Sequence, residues 1–305
     1  MPTAYNYVAA NRRKSVVLVI VFVAVVILIG WAFSRLLQAG PAGIVIAVIV
    51  ATVMSLVGYY SGDKIALATS GAQGPIAKSD NQYLFNMVEN LCIASGLPTP
   101  AIYLISDQQI NAFATGRDPK HASLAVTTGA IEQLKNEELE GVLAHELSHV
   151  KNEDVRYMTL VAILVGIITL LSNYFWRWSW LGGGRRRSND DGNQLQAILM
   201  IVGLVLLILA PIIGQLIQLA VSRKREFLAD ASGVLMTRYP DGLANALEKI
   251  RDTTEAPLHT ANHATAHLFF SNPFGPVATG VSKLFSTHPP IEERIAALRQ
   301  MGGSR

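Results

Sequence analysis

Charge is what this sequence has little of. It carries 25 Lys and Arg and 22 Asp and Glu, so 15% of its 305 residues are charged, against about 25% in an ordinary soluble domain. Half of the chain is apolar, which excludes a disordered protein, since disorder needs low hydrophobicity and high charge. Cysteine is nearly absent. Cys92 stands alone, so no intramolecular disulfide can form, and a reducing compartment fits. The formal net charge is only +3, and no basic stripe with interleaved aromatics accompanies it, so no nucleic-acid partner is expected.

The charge deficit is concentrated. Arg35 is the single charged residue from Ser15 to Gly62, and Tyr157 to Trp176 and Leu195 to Ser222 have none. The rest of the chain has a near-normal charge content. A membrane span needs about 20 apolar residues, and four stretches qualify: Val16–Leu37, Pro41–Tyr60, Tyr157–Trp176 and Leu195–Ala220. The first is too long for the apolar core of a cleaved signal and is followed at once by a second, so it reads as a retained anchor.

The expected fold class is therefore mainly α with a small β-sheet (α+β), on a four-span helical membrane protein. Its expected parts are an N-terminal transmembrane hairpin (1–62), a first soluble part (63–156), a second transmembrane hairpin (157–222) and a second soluble part (223–305). Arg12, Arg13 and Lys14 precede the first span, which places the N-terminus and the region after Tyr60 in the cytoplasm. The second hairpin is ambiguous by this rule. Arg177 and Arg185 to Arg187 lie in its loop, while Arg223, Lys224 and Arg225 follow its end.

In the first soluble part, Asn81–Ser95 has helical spacing, and Ala101–Ile105 and Leu124–Thr128 read as strands bounded by Pro98, Pro100 and Gly129. Ile131–Arg156 reads as one helix, and so does Ile291–Met301 near the end of the chain. Gly182 to Gly184 have no strand leading into them and do not read as a phosphate loop.

The strongest motif is His145-Glu146-Leu147-Ser148-His149. Residues four apart share a helix face, so both imidazoles reach one metal ion. Glu146, one position round, reaches a water on that metal and acts as general base. A catalytic zinc wants three protein ligands and an open position. Glu226 supplies a candidate third ligand, with Asp230 one turn later on the same face as a carboxylate that can orient a ligand imidazole. His259, His263 and His267 read as a polar face rather than a second metal site, and Cys92 reads as core.

His145 to His149, the Arg223-Lys-Arg-Glu-Phe-Leu-Ala-Asp230 stretch and Ser286-Thr-His-Pro-Pro290 together resemble the M48 family of membrane zinc metallopeptidases, in particular its bacterial HtpX-like group. The resemblance runs over nearly the whole chain. It implies a cytoplasmic gluzincin-type domain with one Zn2+ per chain on His145, His149 and Glu226, Glu146 as catalytic base and Asp230 supporting a ligand histidine. It further implies that Asn111, Ala112, Phe113 and Ala114 form an edge that holds the substrate peptide, that His288 is catalytic, and that Arg294 contacts the substrate region.

The same resemblance implies a bacterial inner-membrane location, a role in stress response and protein quality control, and other quality-control proteases as partners. If Glu226 is a ligand, the segment between it and His149 crosses the membrane twice or not at all. His149 lies eight residues before the third span and Glu226 six after the fourth, about 12 and 9 Å as helix, so the metal should sit near the bilayer surface. The expected substrates are then membrane or membrane-proximal proteins, misfolded ones above all. Processing of prenylated C-terminal peptides is one alternative. A membrane scaffold or transporter with a structural zinc is another.

Overall fold

The computed structural model describes residues 4–36, 41–164, 166, 223–253, 257–260, 264–274 and 289–303. Most of the second expected hairpin, residues 167–222, lies outside them, as does His288. The chain opens with two long helices packed on each other, α1 (Ala4–Leu36) and α2 (Ala42–Thr69). Over Ile44–Thr69, α2 is long and apolar enough to cross a membrane, and its apolar face is almost wholly uncovered by protein. Val45, Ile46, Val48, Ile49 and Val53 are all exposed, as side chains facing lipid would be. The helix runs nine residues beyond Tyr60, carrying Asp63 and Lys64 out of the apolar stretch.

A four-stranded mixed sheet follows in the order β1 (Ala72–Gln73), β2 (Ala101–Ile105), β4 (Ala122–Thr127) and β3 (Ala112–Gly116). Strands β2 and β4 are parallel, while β1 and β3 run antiparallel to their neighbours. β3 is thus an edge. β4 is buried along its whole length, because helices cover both sheet faces. Leu124 and Val126 point into a core shared with α3 (Gln82–Ser95) and α5 (Asn136–Lys151). Ala125 and Phe113 point into another with Ala66 and Leu67 of α2 and Met158 and Ala162. The near-continuous apolar run in β4 follows from that double cover. Helix α3 is capped at its start by the Asn81 side chain, which accepts from Leu84 N, and ends at left-handed Gly96. Cys92 is buried on its inner face.

The stretch 131–156, expected as one helix, is three pieces. Helix α4 (Thr128–Gln133) stops at Leu134, which is extended. α5 then restarts with the Glu138 carboxylate accepting from Lys135 N at 2.7 Å. A turn at Asn152 and Glu153, the latter left-handed with φ 54°, separates α5 from a further helix, α6 (154–164). The first residues of the expected third span are in α6. Tyr157, Leu160, Val161 and Leu164 are buried there against Leu18 and Phe22 of α1. Among the described residues that follow are the helices α7 (Arg223–Thr237), α8 (Pro240–Asp252) and α9 (Ile291–Gly302). Gly233 of α7 lies against the backbone of His145, where a Cβ would come within 3.1 Å of His145 N. That close approach brings the first turns of α7 onto α5.

Candidate metal centre

Helix α5 is buried from Gly141 through Val150, polar residues included. His145 and His149 stack one turn apart with their Nε2 atoms 3.2 Å from each other. From α7, Glu226 brings one carboxylate oxygen to 3.7 Å from His145 Nε2 and the other to 3.5 Å from His149 Nε2. The three donor atoms lie within 4.8 Å of one another, and all three residues are buried. Among the described residues this is the one such grouping of His, Cys, Asp and Glu.

The chemistry of the donors suits a cation. His145 Nδ1 donates to Asp230 Oδ1 at 2.8 Å, and His149 Nδ1 donates to Asp154 Oδ2 at 3.1 Å. Each imidazole is thereby fixed in the tautomer that turns the Nε2 lone pair inward. Two imidazole nitrogens and a carboxylate converging in a buried space repel one another unless a positive charge sits among them, either a proton on His149 or a metal ion. A divalent metal ion meets that requirement with three protein ligands.

Asp230 is held in turn by Arg294 of α9, whose Nε and Nη2 donate to the two carboxylate oxygens at 2.9 and 2.7 Å. Arg294 is 2% exposed, lies over the Phe270 ring and comes within 3.9 Å of Glu226. The charge of Arg294 and the hydrogen bond from His145 outweigh burial and hold Asp230 down at about 2. His145 falls to about 4, chiefly through burial, with Arg294 adding to it against the pull of Asp230. His149 moves the other way. Burial would lower it, but the Asp154 hydrogen bond and the Glu226 charge raise it to about 9. Two imidazoles with nitrogens 3.2 Å apart cannot both be charged, and the proton goes to His149, away from the Arg294 charge that faces His145.

Glu146, one position round α5 from His145, faces the sheet edge. Its Oε2 accepts from Ala114 N of β3 at 2.9 Å. Burial, aided by the Glu226 charge and opposed by His149, raises its carboxyl to about 8. The candidate edge residues are placed as follows. Phe113 turns into the core against Phe269. The buried Asn111 side chain exchanges hydrogen bonds with the backbone of Ser271, and Ala112 O accepts from Phe270 N at 2.8 Å. The segment 266–271 thus lies across the start of this edge, and Ala114 faces Glu146.

Of the remaining histidines, His259 contacts Asp107, and buried His267 donates from Nε2 to Met158 O. The residues around His267 form a short 3-10 turn, Ala266–Leu268, not an α-helical face. Asp154 was not foreseen as a partner of His149. It follows the turn that the expected continuous helix lacked, and only the left-handed Glu153 folds it back.

A buried carboxylate held on a sheet edge stands beside three converging donors, an arrangement suited to cleaving peptide bonds with the help of a metal. The class is metallopeptidase. Residues 78–302 match the model of Peptidase family M48, and the chain belongs to that family. It is 45% identical over 299 residues to the Protease HtpX homolog of Caldanaerobacter subterraneus subsp. tengcongensis, covering 98% of each chain. It is 43% identical, with the same coverage of each chain, to the Protease HtpX homolog of Tropheryma whipplei. The crystal structure of S. mikatae Ste24p shares the fold with a TM-score of 0.52 at 19% identity, over 96% of this chain and 67% of that one. The protein is thus a membrane metallopeptidase acting on peptide or protein substrates.

Proposed function

We propose that this chain is a four-span zinc endopeptidase of a bacterial inner membrane, with its catalytic site on the cytoplasmic side. Its substrates would be membrane or membrane-proximal proteins, misfolded ones above all, and other quality-control proteases would share that work. The observation that carries the reading is the convergence of His145 Nε2, His149 Nε2 and Glu226 beside a buried glutamate at a sheet edge. Two imidazoles and one carboxylate are the ligand chemistry of a catalytic zinc. A fully protein-ligated structural zinc would need a fourth donor, and the described residues bring none.

In this reading His145, His149 and Glu226 hold the ion, and Asp230 and Asp154 orient the two imidazoles. Zinc held there would supply polarisation of the scissile carbonyl and a lowered pKa for water at the site. Glu146 takes a proton from the attacking water and delivers it to the leaving amine. The segment Asn111–Ala114 is the edge that would hold the substrate peptide, with His288 assisting from a segment outside the described residues. Arg294 acts on the substrate region through Asp230 and Phe270.

The topology is supported from the N-terminal side. Arg12 at the head of α1 pairs with Glu153, immediately after α5, so that end of α1 lies on the same side as the site. The basic cluster Arg12 to Lys14 favours the cytoplasm for it. Hydrolysis of prenylated peptides and a scaffold or transporter role have no comparable support. The test is Glu146→Gln in the full chain in detergent. It should abolish cleavage of an unfolded model protein while retaining zinc at one per chain, and normal proteolysis by that variant would overturn the assignment.

A further inference from the structure

The zinc-ligand cluster is tied to the membrane anchor through one buried side chain. Asn11 lies in the first turns of α1, before the apolar stretch, and is 5% exposed. Its Nδ2 donates to Asp154 Oδ1 at 2.7 Å and to Asn152 O at 3.0 Å. Its Oδ1 accepts from Arg225 Nη2 at 3.3 Å. Arg225 also bonds Asp154, Nε to Oδ1 at 3.0 Å, and precedes Glu226 in α7. The other oxygen of Asp154 accepts from His149 Nδ1 at 3.1 Å. Three segments distant in sequence therefore meet on one carboxylate: the head of α1, the turn after α5 and the start of α7.

The geometry points to Asn11 as a positioning residue for the metal: α1 sets the orientation of Asp154, and through it the imidazole of His149, so the zinc site is complete only when the first membrane helix is docked. This rests on His149 being a zinc ligand. The physical argument is one of constraint. A carboxylate with one oxygen on an imidazole can rotate about its last torsion unless the other oxygen is fixed. Here that oxygen receives two donors, one of them from α1. Asn11 also satisfies Asn152 O, in the turn that aims Asp154 back at α5, so it holds both the carboxylate and the backbone that carries it. Neighbouring contacts of α1 differ. Arg12 reaches Glu153, whose side chain does not touch the ligands, and Ser15 bonds back to Asn11 O within its own helix.

Outer partners of metal ligands typically contribute about 10- to 100-fold in metal affinity. Removing Asp154 should fall in that range, and a residue one step further out should give less, about 3- to 10-fold. The experiment measures zinc dissociation constants by chelator competition on the full chain in detergent, in a Glu146→Gln background to prevent self-cleavage. It compares the parent with Asn11→Leu, Asp154→Ala, the double variant, Arg12→Ala and His149→Ala. Asn11→Leu should weaken zinc binding about 3- to 10-fold, and Arg12→Ala should leave it unchanged. The double variant should be no weaker than Asp154→Ala alone, because the Asn11 effect passes through that carboxylate.

The inference is overturned if Asn11→Leu binds zinc within twofold of the parent, or if its effect is as large without Asp154 as with it. The second result would mark a general packing defect, which thermal unfolding of metal-stripped protein reports separately. Should Asn11→Leu fail to accumulate, Asn11→Ser takes its place in the cycle, and the same results support or overturn the inference. If His149→Ala binds zinc as the parent does, the metal reading itself fails. If His149→Ala loses zinc while Asn11→Leu does not, only the positioning role fails.

Discussion

Glu146 and Ala114 are joined across the gap between α5 and the sheet edge, the carboxylate accepting the strand's N–H at 2.9 Å. A residue at the third position of an edge strand normally offers that N–H to water or to another strand. Here it fixes the carboxylate of Glu146, the proposed general base, against the sheet edge. Shortening the base by one methylene should therefore be costly although the charge is kept. Glu146→Asp should lower kcat by about 100-fold, the cost of misplacing a reacting group by about 1 Å. Zinc content measured on the same sample should stay at one per chain, and loss of metal would show that the carboxylate is needed for binding as well.

Arg294 makes a two-pronged contact with Asp230 while almost wholly buried. Removing one partner of such a pair leaves a buried charge uncompensated, at about 3–5 kcal/mol. Arg294→Met should lower the thermal midpoint strongly and weaken zinc binding, since Asp230 would no longer be held against His145. Arg294→Lys should rescue only part of this, because an ammonium cannot make the planar fork. If Arg294 acted on substrate alone, both variants would unfold like the parent and raise KM.

The parts of this site differ in how far they could be read from sequence. The four-residue spacing of His145 and His149 is a local property of a helix, so their shared face needed no tertiary information. Glu226 and Asp230 repeat that spacing, but only the α5–α7 contact at Gly233 makes them neighbours of the histidines. Asp154 was illegible for a backbone reason. Val150 to Arg156 has no glycine or proline to mark a break, and the left-handed conformation of Glu153 is imposed by its surroundings, among them Arg12. In the same way the break at Leu134 depends on the Glu138 side chain capping a fresh helix. The sheet strands were legible at β2 and β4, whose ends are punctuated by Pro and Gly. The small-residue strand β3 was reached only by resemblance. Tertiary cover, not local preference, makes Ala112–Gly116 a strand.

Glu138 joins the start of α5 to α8 through Lys249, at 2.6 Å, besides accepting from Lys135 N. Burial pushes its carboxyl up, but the Lys249 hydrogen bond and the Lys135 N–H outweigh this, so its pKa lies below the ordinary 4.5. A carboxyl depressed on folding contributes stability above its unfolded pKa and loses it as the pH falls through the folded value. Lys249 is partly exposed, so the pair should contribute about 0.5–1 kcal/mol at neutral pH. Glu138→Gln should cost that much above about pH 5, in denaturant unfolding of the full chain, and the difference should shrink under more acidic conditions. A constant difference across pH would mean the cost arises from the cap and not from the charge.

His149 gives the site a pH dependence of definite sign. Between Asp154 and Glu226 its imidazole holds a proton up to about pH 9, well above its ordinary 6.5. A group raised on folding stabilises the metal-stripped protein fully below the unfolded value, and that contribution is lost as the pH climbs through the folded one. A metal ion entering the site must displace this proton. Zinc affinity should then rise about tenfold per pH unit from 6.5 to 9 and level off above, with one proton released per ion bound. Calorimetric titration of stripped Glu146→Gln protein in buffers of different ionisation enthalpy counts that proton directly. Asp154→Asn removes the carboxylate that raises the pKa, so it should move the plateau to lower pH while weakening binding overall. An affinity independent of pH across this window would mean that His149 is already neutral when the metal arrives.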